Sequence, residues 1–227
     1  MMGMDLVMLI VLGGVLGLDT VSFPQAMLSR PIVASTIAGL LLGDPERGVL
    51  LGATLELFAV DTLPFGASRY PEWGSSSVVG SGLLVASQDL GAGALTTAVL
   101  AALIMAWIGG WSMIYVRKFN AWLGRRWHAA VVSGDRDAVV GLQFAGILAD
   151  LARGSTLTAA GLLALDPPRQ AALAAWSSGG AVSRAIVVAT AGAVALGATY
   201  KLFHSVPGYL WQFGLGLLGG IALLALR

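Results

Sequence analysis

Three carboxylates, Glu56, Asp61 and Glu72, share one stretch of the chain, GATLELFAVDTLPFGASRYPEWGSSS (residues 52–77), beside prolines and glycines. A carboxylate accepts hydrogen bonds in a fixed plane, which suits the vicinal hydroxyls of a sugar, a cation or a transported proton equally well. Glu56 lies inside VLLGATLELFAV with no basic residue within eight positions. A charged side chain at the centre of a membrane helix costs roughly 2.5 to 3.5 kcal/mol on insertion scales, so Glu56 needs water, a donor or a polar ligand. Thr54 offers a nearby hydroxyl, and Gly52 lets backbone approach closely. Glu72 follows Pro71, and Asp61 lies near Pro64. The plain structural alternative is that Glu56 caps backbone donors of a neighbouring broken helix while Asp61 and Glu72 are solvated at an interface. These residue types indicate a polar substrate pathway and leave its cargo open.

The remaining polar residues are weaker candidates. Asp19 and Gln25 flank a break before Ser29-Arg30-Pro31, where helix capping is the favoured role. Asp150, inside FAGILADLARG, has Arg153 at helical spacing as a partner. Ser75, Ser76 and Ser77 follow a break and are expected to bond backbone or a polar ligand. His128 sits among arginines as a surface residue, and His204 is expected at an interface. No GxSxG or HExxH motif occurs, and the serines have no histidine partner nearby, so hydrolase and intramembrane protease chemistry is disfavoured. No catalytic residue, cofactor or metal site is expected.

Positioning these groups falls to membrane-embedded helices. Hydrophobic residues make up 57% of the chain, charged residues 11%, and the mean hydropathy is +0.83, whereas a soluble domain carries about 25% charged residues. A net charge of +1 argues against a nucleic-acid surface. The absence of cysteine excludes disulfides, thiolate metal sites and cysteine nucleophiles, and two histidines make a histidine-rich metal cluster improbable. The N-terminal segment lacks a basic n-region and an A-x-A pattern, so it is expected to be a retained span. Stretches near residues 4–22, 92–116, 139–165, 180–200 and 208–226 are long enough to cross a bilayer.

Between the first two lie three apolar segments too short to cross, 31–43, 49–63 and 74–87, separated by GDPERG and PFGASRYPEWG. Short segments interrupted by Gly and Pro mark re-entrant or broken helices, whose free backbone groups can face a polar path. The acidic residues sit at these breaks. Thirty-one glycines favour close helix packing, in GGVLG, in GLGLLGG and around Gly192 and Gly197. No internal repeat or detachable soluble domain is visible. The expected fold is an all-α polytopic membrane helix bundle with re-entrant or broken helices, one domain over residues 1–227.

Five of the 13 Lys and Arg residues, Arg117, Lys118, Arg125, Arg126 and Arg136, fall in one connection, which the positive-inside rule assigns to the cytoplasm. Phe119, Trp122, Leu123 and Trp127 recur opposite the arginines. That spacing predicts an amphipathic helix at the membrane surface, a topogenic anchor in preference to a docking helix.

The stretch SRPIVASTIAGLLLGDPERGVLLGATLELFAVDTLPFGASRYPE resembles the signature region of the IIC subunit of the mannose, fructose and sorbose family of the bacterial sugar phosphotransferase system. The likeness rests on Arg30-Pro31, Gly43-Asp44, the G-x-T-L-E run from Gly52 to Glu56, Gly66-Ala67 and Pro71-Glu72, and extends upstream to LDTVSFPQAMLSRP. It covers about the first two fifths of the chain. Family members usually carry Pro-Asp where this chain has Pro71-Glu72, and Arg69 and Tyr70 add a cation and an aromatic beside it. The chain also ends about one membrane segment short of longer members.

The resemblance implies a multi-pass subunit of the bacterial inner membrane that binds a hexose-type sugar and carries it inward in phosphoenolpyruvate-dependent uptake. The implied partners are a IID membrane subunit, cytoplasmic IIA and IIB phosphoryl carriers and the lipid bilayer, with an oligomer expected. The IIC subunit itself performs no covalent chemistry. The family's site motifs map onto Thr54, Glu56, Gly66 and Glu72, with Asp61 as an additional candidate. Two rival expectations are a non-transporting IIC-like sensor or assembly partner, and an ion-coupled carrier using Asp61 or Glu56 for protons.

Overall fold

The structure, a computed structural model, describes residues 3–60, 62, 69–87 and 93–226, the side chain of Leu224 excepted. All regular structure among them is helical: α1 (Gly3–Asp19), α2 (Pro31–Leu41), α3 (Pro45–Phe58), α4 (Trp73–Val85), α5 (Ala94–Arg126), α6 (His128–Val132), α7 (Arg136–Ala174), α8 (Gly180–Phe203) and α9 (Tyr209–Ala225). The three short apolar segments become α2, α3 and α4, of 11, 14 and 13 residues. At 1.5 Å per residue they reach about 16, 21 and 20 Å, well short of the roughly 30 Å hydrocarbon core.

Local chemistry makes α2 and α3 a hairpin. Gly43 takes φ +77°, a left-handed turn that a side chain disfavours. Asp44 then caps α3 by accepting from Arg47 N at 3.1 Å, with Pro45 in the first turn. The two helices touch backbone to backbone: a Cβ on Gly48 would lie 2.5 Å from Ser35 O and 3.0 Å from Gly39 Cα. A Gly48→Val substitution is therefore expected to force the hairpin apart, destabilising by about 1–3 kcal/mol and lowering the thermal midpoint in detergent; an unchanged midpoint would refute this packing.

The hairpin packs on α4, which is buried from Trp73 through Leu84 and forms the centre of the molecule. Leu51, Leu55 and Ala59 of α3 meet Trp73, Leu84 and, from α5, Leu95, Ala98 and Ala102 on one side. Leu9 and Leu16 of α1 join Val78, Val79 and Leu83 with Met105 of α5 and Leu157 and Leu162 of α7 on the other. α1 and α7 approach closely, since a Cβ on Gly13 or Gly14 would collide with Thr158 or Ser155. Around Gly192, Gly197 and the glycines of GLGLLGG the expected close packing is absent. A Cβ at each would meet open space, because these glycines lie on peripheral faces of α8 and on α9, which has no buried residue among those described.

α5 and α8 are each long and apolar enough to cross a membrane. The surface helix expected over Phe119–Trp127 is not separate: α5 runs unbroken to Arg126, since no proline interrupts it and Gly124 alone is insufficient to end it. α7 likewise passes the expected end at Leu165 and continues through Pro167 and Pro168 to Ala174. Asp166 accepts from Arg169 and Gln170 there, as a first-turn acid would.

Candidate functional site

Four helix ends converge at one level inside the bundle. Glu72, at the start of α4, donates its N–H to Ala106 O in the middle of α5 at 2.9 Å. Gly17, near the end of α1, lies against the Glu72 carboxylate and Gly154 of α7. The first turn of α2 meets α3 at Gly52, where a Cβ would stand 2.8 Å from Ile32 Cα. Trp73 Nε1 donates to Thr62 Oγ1 at 2.8 Å, bringing the chain after α3 to the start of α4.

A cavity of about 570 Å³ opens where these ends meet, lined by Asp19, Thr20, Gln25, Met27, Ser29, Arg30, Val60, Thr62, Tyr70, Pro71 and Trp73. Pockets of roughly 300–1,000 Å³ are the usual size for small-molecule sites. Thr20 Oγ1 is buried and has no hydrogen-bond partner among the described residues, an oddity a polar ligand would resolve.

Asp19 shapes the cavity's loop. Its carboxylate, nearly fully buried, accepts from Ala26 N at 2.7 Å and Ser29 N at 2.8 Å. Gln25, just before the first anchor, and Met27, between the two, hold φ of 59° and 61°, a left-handed geometry that costs on the order of 1–3 kcal/mol in a non-glycine residue and clusters at ligand sites. Helix capping, the favoured expectation, is not what Asp19 performs: its carboxylate holds a loop seven to ten residues ahead. Gln25 is exposed, its amide donating to Val21 O at 2.8 Å.

Glu56 sits directly behind the cavity wall. Its Oε1 pairs with the Arg30 guanidinium, Nε at 2.7 Å, and its Oε2 accepts from Ile32 N at 3.1 Å. A carboxylate facing the free N–H groups of a helix N-terminus is favourably placed. The side chain thus does what the structural alternative required while fixing a cation that lines the cavity. Thr54 is buried and donates to Leu50 O at 2.8 Å on its own helix.

Glu72 is not solvated at an interface; it is fully buried. It caps α4, accepting from Ser75 N at 3.1 Å and from the Ser75 hydroxyl, and it fills the space left by Gly109, where a Cβ would lie 2.7 Å from Glu72 Cβ. Ser76 Oγ donates to Trp73 O, and Ser77 Oγ is buried without a partner among the described residues. Glu56, through Arg30, and Glu72, between Pro71 and Trp73, adjoin the cavity without being part of its described lining, and Thr54 is not in that lining either. Asp61 and Gly66 lie outside the described residues. Tyr70 is in the cavity wall, whereas Arg69 turns outward over Trp107 and Trp111, 4.7 and 4.4 Å from their ring centroids.

Asp150 and Arg153 pair at 2.7 Å, nearly fully buried. Ser22 Oγ donates to Asp150 at 2.5 Å, and Arg153 donates to Gly17 O at 3.2 Å. α7 thereby holds both ends of the segment leading from α1 into the cavity loop. The sequence signalled the pair by its spacing and gave no sign of its target. The sequence offers Arg30 only within the Arg30-Pro31 signature and Tyr70 only beside Pro71-Glu72; their place in the cavity wall is set by tertiary contacts.

Residues 4–176 match the family model described as the PTS system sorbose-specific IIC component. The fructose permease IIC component of Bacillus subtilis (strain 168) is 33% identical over 103 residues, 45% of this chain and 38% of that protein. The PTS system sorbose-specific EIIC component of Lacticaseibacillus casei is 33% identical over 87 residues, 38% of this chain and 31% of its own. The PTS system mannose-specific EIIC component of Escherichia coli (strain K12) is 29% identical over 100 residues, 44% of this chain and 37% of its own. The chain spans less than two fifths of the length of these relatives in the matched stretches. In fold it is similar to a solved structure described as "Structure of membrane protein", TM-score 0.77 at 18% identity, covering 99% of this chain and 95% of the other. It is also similar to a chain of the "CryoEM Structure of Mannose Transporter ManYZ and Microcin E492 (MceA) complex", TM-score 0.66 at 18% identity with the same coverage.

Proposed function

Because the chain belongs to the sorbose-specific IIC family of the sugar phosphotransferase system, we propose that it binds a hexose-type sugar in the cavity between the broken helix ends and carries it inward for phosphorylation by a IIB partner. A IID subunit completes the membrane complex, IIA supplies IIB with the phosphoryl group, and the setting is the bacterial inner membrane. The domain is the whole of residues 1–227, working as an oligomer. The carrying observation is the cavity itself: Asp19, Thr20, Ser29, Arg30 and Thr62 present both donors and acceptors, and Tyr70 and Trp73 supply flat apolar faces. That combination suits a sugar, whose ring has polar edges and apolar faces.

In this scheme Glu56 serves the sugar through Arg30 and the start of α2, and Glu72 serves it by fixing the start of α4. Thr54, Asp61 and Gly66 remain substrate-site proposals; Asp61 adjoins Thr62 in the chain. Glu56 is already paired with Arg30, which disfavours it as the proton carrier of the ion-coupled rival; Asp61, the other residue named for that role, lies outside the described residues.

Equilibrium binding of a hexose panel that includes mannose, fructose and sorbose, measured on the solubilised complex with IID, tests the assignment. Saturable binding of at least one sugar is expected. Asp19→Ala removes both anchors of the cavity loop and is expected to weaken that binding about tenfold, roughly 1.4 kcal/mol. No saturable binding by any hexose would overturn the assignment.

A further inference from the structure

A second, smaller polar cavity of about 210 Å³ lies beyond the first, lined by Val21, Ser22, Met113, Val116, Arg117, Asn120 and Asp150. The two are separated by little. Asp19 and Thr20 line the first while the next two residues, Val21 and Ser22, line the second. Tyr70 is in the wall of the first, and Arg117 in the wall of the second donates to its hydroxyl at 3.3 Å, with the guanidinium 5.6 Å from the ring centroid. The second cavity lies along the later turns of α5 and the earlier turns of α7, toward the connection that carries Arg125, Arg126 and Arg136.

We propose that this second cavity is a sugar subsite on the cytoplasmic side of the Tyr70–Arg117 partition, occupied as the sugar leaves the first; this rests on the sugar assignment of the first cavity. At about 210 Å³ it is under half the size of the first cavity and holds at most one small ligand. Its chemistry is that of a neutral polyol site. The Asp150 carboxylate spends acceptor capacity on Ser22 and Arg153, yet an ionised carboxylate has about four acceptor positions. Asn120 offers donors and an acceptor, and the Arg117 guanidinium is held against Tyr70. A negatively charged sugar phosphate would face Asp150, so the unmodified sugar is the better occupant. Asn120 is exposed, which leaves the subsite reachable from the basic side.

The chain has no cysteine, so single cysteines report accessibility without background. Thr20→Cys reads the first cavity and Asn120→Cys the second; Val116→Cys, an apolar position of the same wall, is the second reporter should Asn120→Cys fail to fold. Val132→Cys on exposed α6 is the control for side. Each is treated with a small methanethiosulfonate in membranes containing the complex, with and without the sugar that binds. At a sugar concentration about ten times Kd, labelling of Thr20→Cys is expected to slow about tenfold, as the free fraction falls with occupancy, and labelling at the second cavity by about twofold or more, as the sugar visits it on leaving the first, while Val132→Cys is unaffected. Protection of Thr20→Cys without protection of either second-cavity cysteine would overturn the subsite and leave the first assignment standing. Protection at neither cavity would overturn both.

Discussion

Glu72→Ala is expected to destabilise the protein by about 3 kcal/mol, combining a lost helix cap with stranded donors in a buried site. The carboxylate has no exposure, and both the N–H and the hydroxyl of Ser75 depend on it. Water cannot replace it at the level of Ala106 and Gly109, where the backbone of Glu72 bonds α5 and its side chain fills the gap that Gly109 leaves. The failure should propagate, because α4 carries Trp73, whose indole donates to Thr62 in the cavity wall. Glu72→Asp distinguishes capping from mere filling. Asp is among the best N-cap residues, and the family pattern usually places it here, so this variant should recover most of the lost stability. The measurement is the thermal midpoint of the purified chain in detergent. An alanine variant as stable as the parent, or an aspartate variant as damaged as alanine, would remove the capping account.

Glu56→Gln is expected to weaken sugar binding by about two orders of magnitude, the range for removing one partner of a hydrogen-bonded, partly buried charge pair, with little change in membrane insertion. Arg30 keeps its charge but loses the carboxylate that pairs with it, and the single acceptor oxygen of Gln can no longer serve both Arg30 and Ile32 N, one of which then faces an NH2 group. Arg30 is in the cavity wall, so its misplacement reaches the ligand directly. A double-mutant cycle with Arg30→Gln tests the coupling: once either partner is gone, removing the other should cost far less than it does alone. Additive losses would mean that Glu56 and Arg30 act independently.

Much of this arrangement is written locally in the chain, and that part was readable. The turn at Gly43-Asp44-Pro45, the breaks around Pro31 and Pro71 and the shortness of the three apolar segments depend only on neighbouring residues, so the broken helices could be placed from sequence. The Asp150–Arg153 pair was legible for the same reason, being one helical turn apart. What could not be read is tertiary. Glu56 finds its counter-ion 26 positions earlier, across a hairpin whose register is set by Gly39 meeting Gly48. Glu72 could be read as a substrate ligand or as solvated at a break, because nothing in its neighbourhood announces that Gly109 makes room for it on α5. The basic connection misled for another reason: amphipathic spacing specifies a helix but not where it begins, and α5 carries the pattern straight out of the membrane-spanning stretch. The glycines of α8 and α9 carry the composition of packed helices on faces that meet open space in this single chain.

The most direct test is sugar uptake by sealed membrane vesicles containing this chain with its IID, IIA and IIB partners, measured with and without the phosphoryl donor for the parent and for Glu56→Gln. The account requires the parent to accumulate sugar phosphate only when the donor is present, and the variant to accumulate almost none although it assembles normally. Uptake that ignores the donor and collapses with the proton gradient, or a Glu56→Gln variant that transports as well as the parent, would contradict it.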